Sequence, residues 1–382
     1  MDNAGGSVPT EGVVDAIRTY LTRDMVQLGA SYASSVKATQ KVEAGKEAAA
    51  SLLGCAVDDV VLGASTTANL HVLARGFAPL VTPGDEIVIT DADHEANRGA
   101  WARLARDRGA TLRIWRMDDE RLTAEGLVEV LTERTKVVAF THCANVIGSI
   151  HDARAFCQTI RDAGAISVVD GVAYAPHRRV VAPAIGADVY VVSLYKVYGP
   201  HLGAAYVSPE LRERLDNQNH FFLEQTGSYR FMPGNVSHEL AAGLPGIVDY
   251  LHELDLHHGG DGDLDATWAR IRRHEAALGA PLLAFLRDHP EVRLLGEPEI
   301  TATGLDGRVP TIAFTVTGRP SASIPPELDD HSAIRWGHFY AYEAMTALGL
   351  DPEDGIVRVS LVHYNTVDEV ERLLRRLDVI LG

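Results

Sequence analysis

From about Asp58 to about Pro209, short apolar runs alternate with segments of helical character. Runs that are apolar throughout, rather than at every second residue, suit strands buried on both faces, and helices between them supply the cover. The candidate strands are Val60-Leu62, Glu86-Thr90, Leu112-Arg116, Val137-Thr141, Ser167-Asp170, Val189-Ser193 and Ala204-Ser208. Turn signals at Pro83-Gly84-Asp85 and Arg108-Gly109 fall where a helix should hand over to the next strand. The pattern predicts an α/β fold whose large domain holds a seven-stranded, mainly parallel sheet. The preceding stretch, Val13 to Leu53, reads as helical.

After about Gly234 the pattern changes. Two amphipathic segments, roughly His238–Glu253 and Ala266–Asp288, flank an acidic, glycine-rich loop that lacks the ligand spacing of an EF-hand. Strand candidates Arg293-Leu295, Thr311-Thr315, Ala333-Arg335 and Val357-Leu361 and a helix from Val367 to about Leu381 complete a smaller α+β domain.

Two strand ends carry chemistry. Val189-Tyr190-Val191-Val192-Ser193 runs into Lys196, and Ile166-Ser167-Val168-Val169 ends in Asp170-Gly171. An amine and a carboxylate at neighbouring strand ends are what pyridoxal phosphate (PLP) requires: a lysine to condense with its aldehyde and a carboxylate to keep its pyridine nitrogen protonated. The first strand is followed by Ser65-Thr66-Thr67, hydroxyl residues at the start of a helix, where free N–H groups and the helix dipole favour a phosphate. His94, after the second strand, is placed either to lie against a pyridine ring or to serve as a loop histidine. Asn145, after Thr141, offers a donor and an acceptor to a cofactor or substrate, or else forms a turn.

Composition narrows the partners. With 52 acidic against 35 basic residues, the net charge of −17 opposes binding to nucleic acid. No apolar run is long enough for a membrane span and no signal-peptide pattern opens the chain, so a cytoplasmic protein without membrane contact is expected. Cys55, Cys143 and Cys157 are odd in number and lack paired spacing, which predicts neither a disulfide framework nor a metal site.

The series Asp2-Asn3-Ala4-Gly5-Gly6, Asp93-His94-Glu95-Ala96-Asn97, Ala144-Asn145-Val146-Ile147-Gly148, Asp170-Gly171, Ser193 to Pro200 and Arg358 to Thr366 resembles the class V aminotransferase superfamily. Within it, the chain is most similar to the cysteine desulfurase-like branch, which includes C–S lyases and isopenicillin N epimerase. The resemblance implies a fold-type I PLP-dependent transferase, a homodimer with shared active sites, and an amino-acid substrate. It implies an N-terminal segment (1–12) near the active site, a large PLP-binding domain (13–235) and a small C-terminal domain (236–382). Lys196 would hold the cofactor, Asp170 would pair with the pyridine nitrogen, and His94 would stack on the ring. Ser65, Thr66, Thr67 and Ser193 would hold the phosphate, with Tyr195 beside it and Asn235 reaching across the dimer interface. Arg358 would take the substrate carboxylate, with Asn145 assisting, and Tyr340 and His363 lining the substrate side.

The chain also departs from the desulfurase pattern. Tyr340 stands where the nucleophilic cysteine of the desulfurases would be, and no cysteine lies in that half of the chain. The family glutamine after the pyridine-binding aspartate is Ala173, for which Tyr174 or a water is the expected substitute. Retained lysine, aspartate and arginine with a missing cysteine point to β-elimination from an S-substituted cysteine. Decarboxylative oxidative deamination, transamination and epimerisation use the same residues and remain open, as does a non-enzymatic PLP-binding regulator.

Overall fold

A computed structural model describes residues 1–223, 227–300, 307–328 and 332–381. All seven expected strands of the first sheet form: β1 (Val60–Gly63), β2 (Glu86–Thr90), β3 (Thr111–Trp115), β4 (Thr135–Thr141), β5 (Ile166–Asp170), β6 (Val189–Ser193) and β7 (Gly203–Val207). Their order is β1-β7-β6-β5-β4-β2-β3. β3, β2, β4, β5 and β6 are parallel neighbours, whereas β7 runs antiparallel to both β6 and β1. Every residue of β2, β5, β6 and β7 is buried, as apolar runs without alternation require.

Helices cover both faces. The stretch expected to be helical from Val13 to Leu53 is divided into α1 (Glu11–Thr19) and α2 (Ala33–Leu53). Between them Gly29 adopts φ +80°, and the buried Asp24 carboxylate ties the break to α2 through Lys37 (2.8 Å) and Lys41 (2.5 Å). α3 (Thr66–Gly76) and α4 (Glu95–Arg108) begin directly after β1 and β2. They pack Leu70, Leu73, Trp101 and Leu104 into the core on one side of the sheet.

β8 (Val292–Leu295), β9 (Thr311–Val316), β10 (Arg335–Gly337) and β11 (Ile356–Ser360) form an antiparallel sheet in the order β10-β11-β9-β8. The helices Leu264–Asp288 and Val367–Leu381 cover it, burying Leu282, Leu286, Leu373 and Leu377 against Ile312, Phe314, Val357 and Val359. The segment expected over His238–Glu253 is two helices, His238–Gly243 and Pro245–His257, because Pro245 lacks the N–H that would continue the first. Ala241, Leu244, Ile247, Leu251, Trp268 and Ile271 share the core of α2 and the large sheet. We therefore propose that the packing boundary lies inside the helix Leu264–Asp288, later in the chain than position 235/236.

Candidate active site

In a parallel sheet the carboxyl ends of the strands lie on one edge and the loops that follow converge there. Register makes this concrete: Thr141 on β4 pairs with Asp170 on β5, and Asp170 pairs with Val191 on β6. The next loop residues therefore share one space. Ser65, Thr66, Thr67, His94, Asn145, Asp170, Ser193, Tyr195 and Lys196 all line a cavity of about 90 Å³.

The titratable groups among them, His94, Asp170, Tyr195 and Lys196, are all shifted by burial. Asp170 is 5% exposed, and its Oδ1 accepts from the Val172 N–H at 2.9 Å. Burial pushes its carboxyl up to about 6, with Val172 and Lys196 opposing the shift. Lys196 closes a short 3₁₀ turn, Leu194–Lys196, and is 8% exposed. Burial, then the Arg358 charge, lowers its amine to about 8, so a usable fraction is unprotonated near neutral pH. His94 caps α4, its Nδ1 accepting from the Ala96 N–H at 3.0 Å. Burial, Lys196 and Arg358 lower its imidazole to about 4, which leaves a neutral ring with its hydrogen on Nε2.

The start of α3 forms a cradle. Ser65 Oγ accepts from the Ala68 N–H at 3.1 Å, and Thr66 Oγ1 donates to the Val192 carbonyl at 2.8 Å while lying 2.7 Å from Ser193 Oγ. Gly203 makes the cradle possible, because a Cβ there would lie 2.4 Å from both Ser65 C and Thr66 N. Free N–H groups of a first helical turn, hydroxyls and close backbone approach fit a phosphate; Asp170 fits a pyridine nitrogen and Lys196 an aldehyde. The residues present thus fit PLP.

Arg358 opens the substrate side. It lies in β11, 2% exposed, with its guanidinium 3.6 Å from the centroid of the Phe339 ring. Nη1 donates to the Asn145 carbonyl at 3.0 Å and Nη2 to Asp2 Oδ1 at 3.2 Å, while Nε has no partner among the described residues. Burial lowers it to about 10, which keeps it cationic at neutral pH. Asn145 donates its Nδ2 to the Phe339 carbonyl at 3.0 Å and leaves Oδ1 buried without a partner among the described residues. Arg358 and Tyr340 line a wider cavity of about 510 Å³, which shares His94, Asn145, Tyr195 and Lys196 with the first.

Two expectations are corrected. His363 lies away from this space: its Nε2 is 2.5 Å from Tyr250 Oη, its ring meets the Tyr198 ring edge-on, and it lines a separate cavity with His274 and Arg270. The chain turns after β11, with Asn365 N donating to the Val362 carbonyl at 2.9 Å, and this carries His363 behind the Lys196 loop. Tyr174 does not replace the family glutamine, because its ring stacks on His142 at 3.6 Å and lines a cavity of about 600 Å³ that lies apart from the cofactor pocket. Asn235, expected to act across a dimer interface, lines a third cavity of its own chain with His201 and Phe231.

Other residues were given no individual role by the sequence. Asp2 and Phe339 hold Arg358, and Thr141 and Cys143 line the cofactor cavity. Strand register would have found Thr141, which sits beside Asp170. Tyr195 stacks on His201 at 4.7 Å and 8°, and its backbone carbonyl accepts from Ser7 N at 3.0 Å, which ties the N-terminal segment to the site.

The aminotransferase class-V family model matches residues 1–373. The aminotransferase-like protein FGM3 of Gibberella zeae is 38% identical over 393 residues, covering 100% of this chain and 94% of that protein. The cysteine desulfurase-like protein ustD of Aspergillus flavus is 30% identical over 394 residues, covering 100% of this chain and 86% of that one. Among solved structures, an apo cysteine desulfurase from Thermococcus onnurineus NA1 superposes with a TM-score of 0.88 at 26% identity, covering 100% of this chain and 94% of that one.

Proposed function

The chain belongs to the class V aminotransferase family and is a PLP-dependent enzyme acting on an amino acid, and on that premise we propose that it cleaves the C–S bond of an S-substituted cysteine by β-elimination. The observation that carries the reading concerns thiols. Tyr340 occupies the loop at the mouth of the site, and burial pushes Cys55, Cys143 and Cys157 each up to about 12. A sulfur relay through the enzyme needs a thiolate, and a thiol at about 12 supplies almost none at neutral pH.

When bound, PLP absorbs the electron pair left by a broken bond at the substrate α-carbon. The chain's own residues do the rest. Arg358 binds the α-carboxylate through guanidinium N–H groups that the described residues leave unpaired, and Asn145 lines the same cavity. Lys196 Nζ, neutral near pH 8, removes the α-proton. The Cβ–S bond then breaks with its electron pair leaving on sulfur, and the enamine product is hydrolysed. The balance is one substrate and one water to thiol, pyruvate and ammonia. Family membership also supports a homodimer, in which Asn235 of the partner subunit would reach the phosphate.

The test is to incubate the purified holoenzyme with S-methylcysteine and S-benzylcysteine and follow thiol and pyruvate. Both should accumulate in equal amounts. If neither appears while alanine still perturbs the cofactor absorbance, the enzyme binds amino acids but is not a C–S lyase.

A further inference from the structure

The mouth of the site carries information about the substrate beyond its α-carbon. Tyr340 is 70% exposed, yet its ring is 5.3 Å from that of His94 and tilted by 34°, over the entrance to Lys196. Its backbone is held in an unusual form. Phe339 and Tyr340 are consecutive non-glycine residues with φ +49° and +61°, a left-handed conformation that costs energy at each position. The turn is pinned from four sides. Ala341 N donates to the His338 carbonyl at 2.8 Å and Tyr340 N to His338 Nδ1 at 3.1 Å. Glu95 N donates to the Tyr340 carbonyl at 2.8 Å, and Asn145 Nδ2 to the Phe339 carbonyl at 3.0 Å. A strained turn fixed by its neighbours presents the Tyr340 ring to the cavity already in place.

The charges around it select among ligands. Arg335 pairs in register with Arg358, so both side chains lie on the site face of the small sheet. Arg335 Nη1 is 3.6 Å from Asp2 Oδ2, and Glu353 lines the same cavity. Asp2 and Glu353 offset the outer cation, and the substrate's own carboxylate engages Arg358, so a charged substituent of either sign finds no unpaired opposite charge there. An aromatic ring suits what remains: a tyrosine face, the neutral His94 ring and a guanidinium 5.8 Å from the Phe339 ring.

We propose that the mouth above Lys196 is a pocket for an aromatic substituent on the substrate's β-carbon, with Tyr340 as its specificity-determining residue. The proposal deepens the reading of Arg358 as the α-carboxylate site, since that contact sets where the substituent points. It does not need the C–S lyase step.

The test measures dissociation constants of L-phenylalanine and L-alanine for the holoenzyme, from the change in cofactor absorbance. Phenylalanine should bind about tenfold more tightly, the scale of one favourable ring contact. Tyr340→Gly, which tolerates the left-handed backbone, should bring the two constants together, and Tyr340→Phe should keep them apart. Equal constants in the wild type, or a preference unchanged in Tyr340→Gly, would overturn the proposal. So would a Tyr340→Gly change seen only in self-association by sedimentation, which would assign the ring to a subunit contact. Thiol release separates this idea from the lyase reading. Phenylalanine preference without thiol from S-benzylcysteine removes the lyase and leaves the pocket, whereas equal release from S-methyl- and S-benzylcysteine removes the pocket and leaves the lyase.

Discussion

Replacing Gly203 by alanine tests the phosphate cradle directly. Gly203 opens β7 and pairs with Ser193 on β6 and Gly63 on β1, so its position is fixed by strands on both sides. An added Cβ would lie 2.4 Å from Ser65 C and Thr66 N and 2.8 Å from Ser65 O, all backbone atoms. Carbon contacts settle at about 3.5 Å or more, so strand and helix must part by roughly 1 Å. Overpacking of this kind costs about 1–3 kcal/mol in stability. The displacement also lengthens the Thr66 Oγ1 contacts to the Val192 carbonyl and Ser193 Oγ, now 2.8 and 2.7 Å. Losing one hydrogen bond to an anion costs about 1.5–3 kcal/mol, which corresponds to a PLP dissociation constant roughly 10- to 150-fold higher. The assay is titration of the apoenzyme with PLP, followed by absorbance, alongside thermal melting. Gly279→Ala is the control: it lies in the helix Leu264–Asp288, and a Cβ there would meet Pro310 Cβ at an ordinary 3.5 Å. Its melting temperature should hold or rise by the helix preference of alanine, about 0.5–1 kcal/mol. A Gly203→Ala protein that melts with the wild type and binds PLP equally well would refute the cradle.

Because the Lys196 amine sits at about 8, PLP capture by the apoenzyme should rise about tenfold per pH unit below 8 and level off above it; stopped-flow absorbance would detect this, and a rise continuing to pH 10 would contradict it. Asp170→Asn keeps an oxygen for the Val172 N–H, now at 2.9 Å, but removes the carboxylate, so PLP should still bind while deuterium exchange at the α-carbon of bound alanine slows by roughly a hundredfold or more, the scale of losing a preorganised electrostatic contact. Cys143 points its Sγ at the Gly148 carbonyl, 3.5 Å away, with its thiol pushed up to about 12, so Cys143→Ala should turn over within about twofold of the wild type and a tenfold loss would indicate a catalytic thiol.

What could be read from the sequence divides along physical lines. The inner strands of the large sheet were legible because burial on both faces writes a largely apolar run, and Asp170 and Lys196 were legible because a charged residue at or just after the end of such a run lies at the sheet's edge. Their chemistry follows from position, without tertiary detail. The small domain was less legible: β10 lies at Arg335–Gly337, two residues beyond the segment expected, because three exposed or half-exposed residues on an edge carry almost no hydrophobic pattern. His363 shows the limit of reading a motif as one piece. It stands five residues after Arg358, but β11 ends at Ser360 and the turn beyond it reverses the side chain's surroundings.

Arg358 shows the opposite case, a site whose partner no local pattern could supply. Asp2 is 356 residues away, and it arrives because the N-terminus adds to β11: Ser360 N donates to the Met1 carbonyl at 2.8 Å, Asn3 Nδ2 to the Ser360 carbonyl at 2.9 Å, and Ala4 N to Ser360 Oγ at 2.8 Å. A guanidinium 2% exposed needs a countercharge or hydrogen bonds to remain ionised, and Asp2 with the Asn145 carbonyl supplies both. The arrangement engages one N–H of each Nη and leaves Nε–H and the second N–H of each Nη without a partner among the described residues. A substrate carboxylate therefore meets a cation that is already charged and oriented, on a side fixed by the first four residues of the chain. The N-terminal segment, whose motif resembles the family's, is thus part of the carboxylate site through the strand it pairs with, and the pairing is what assigns Asp2 to Arg358.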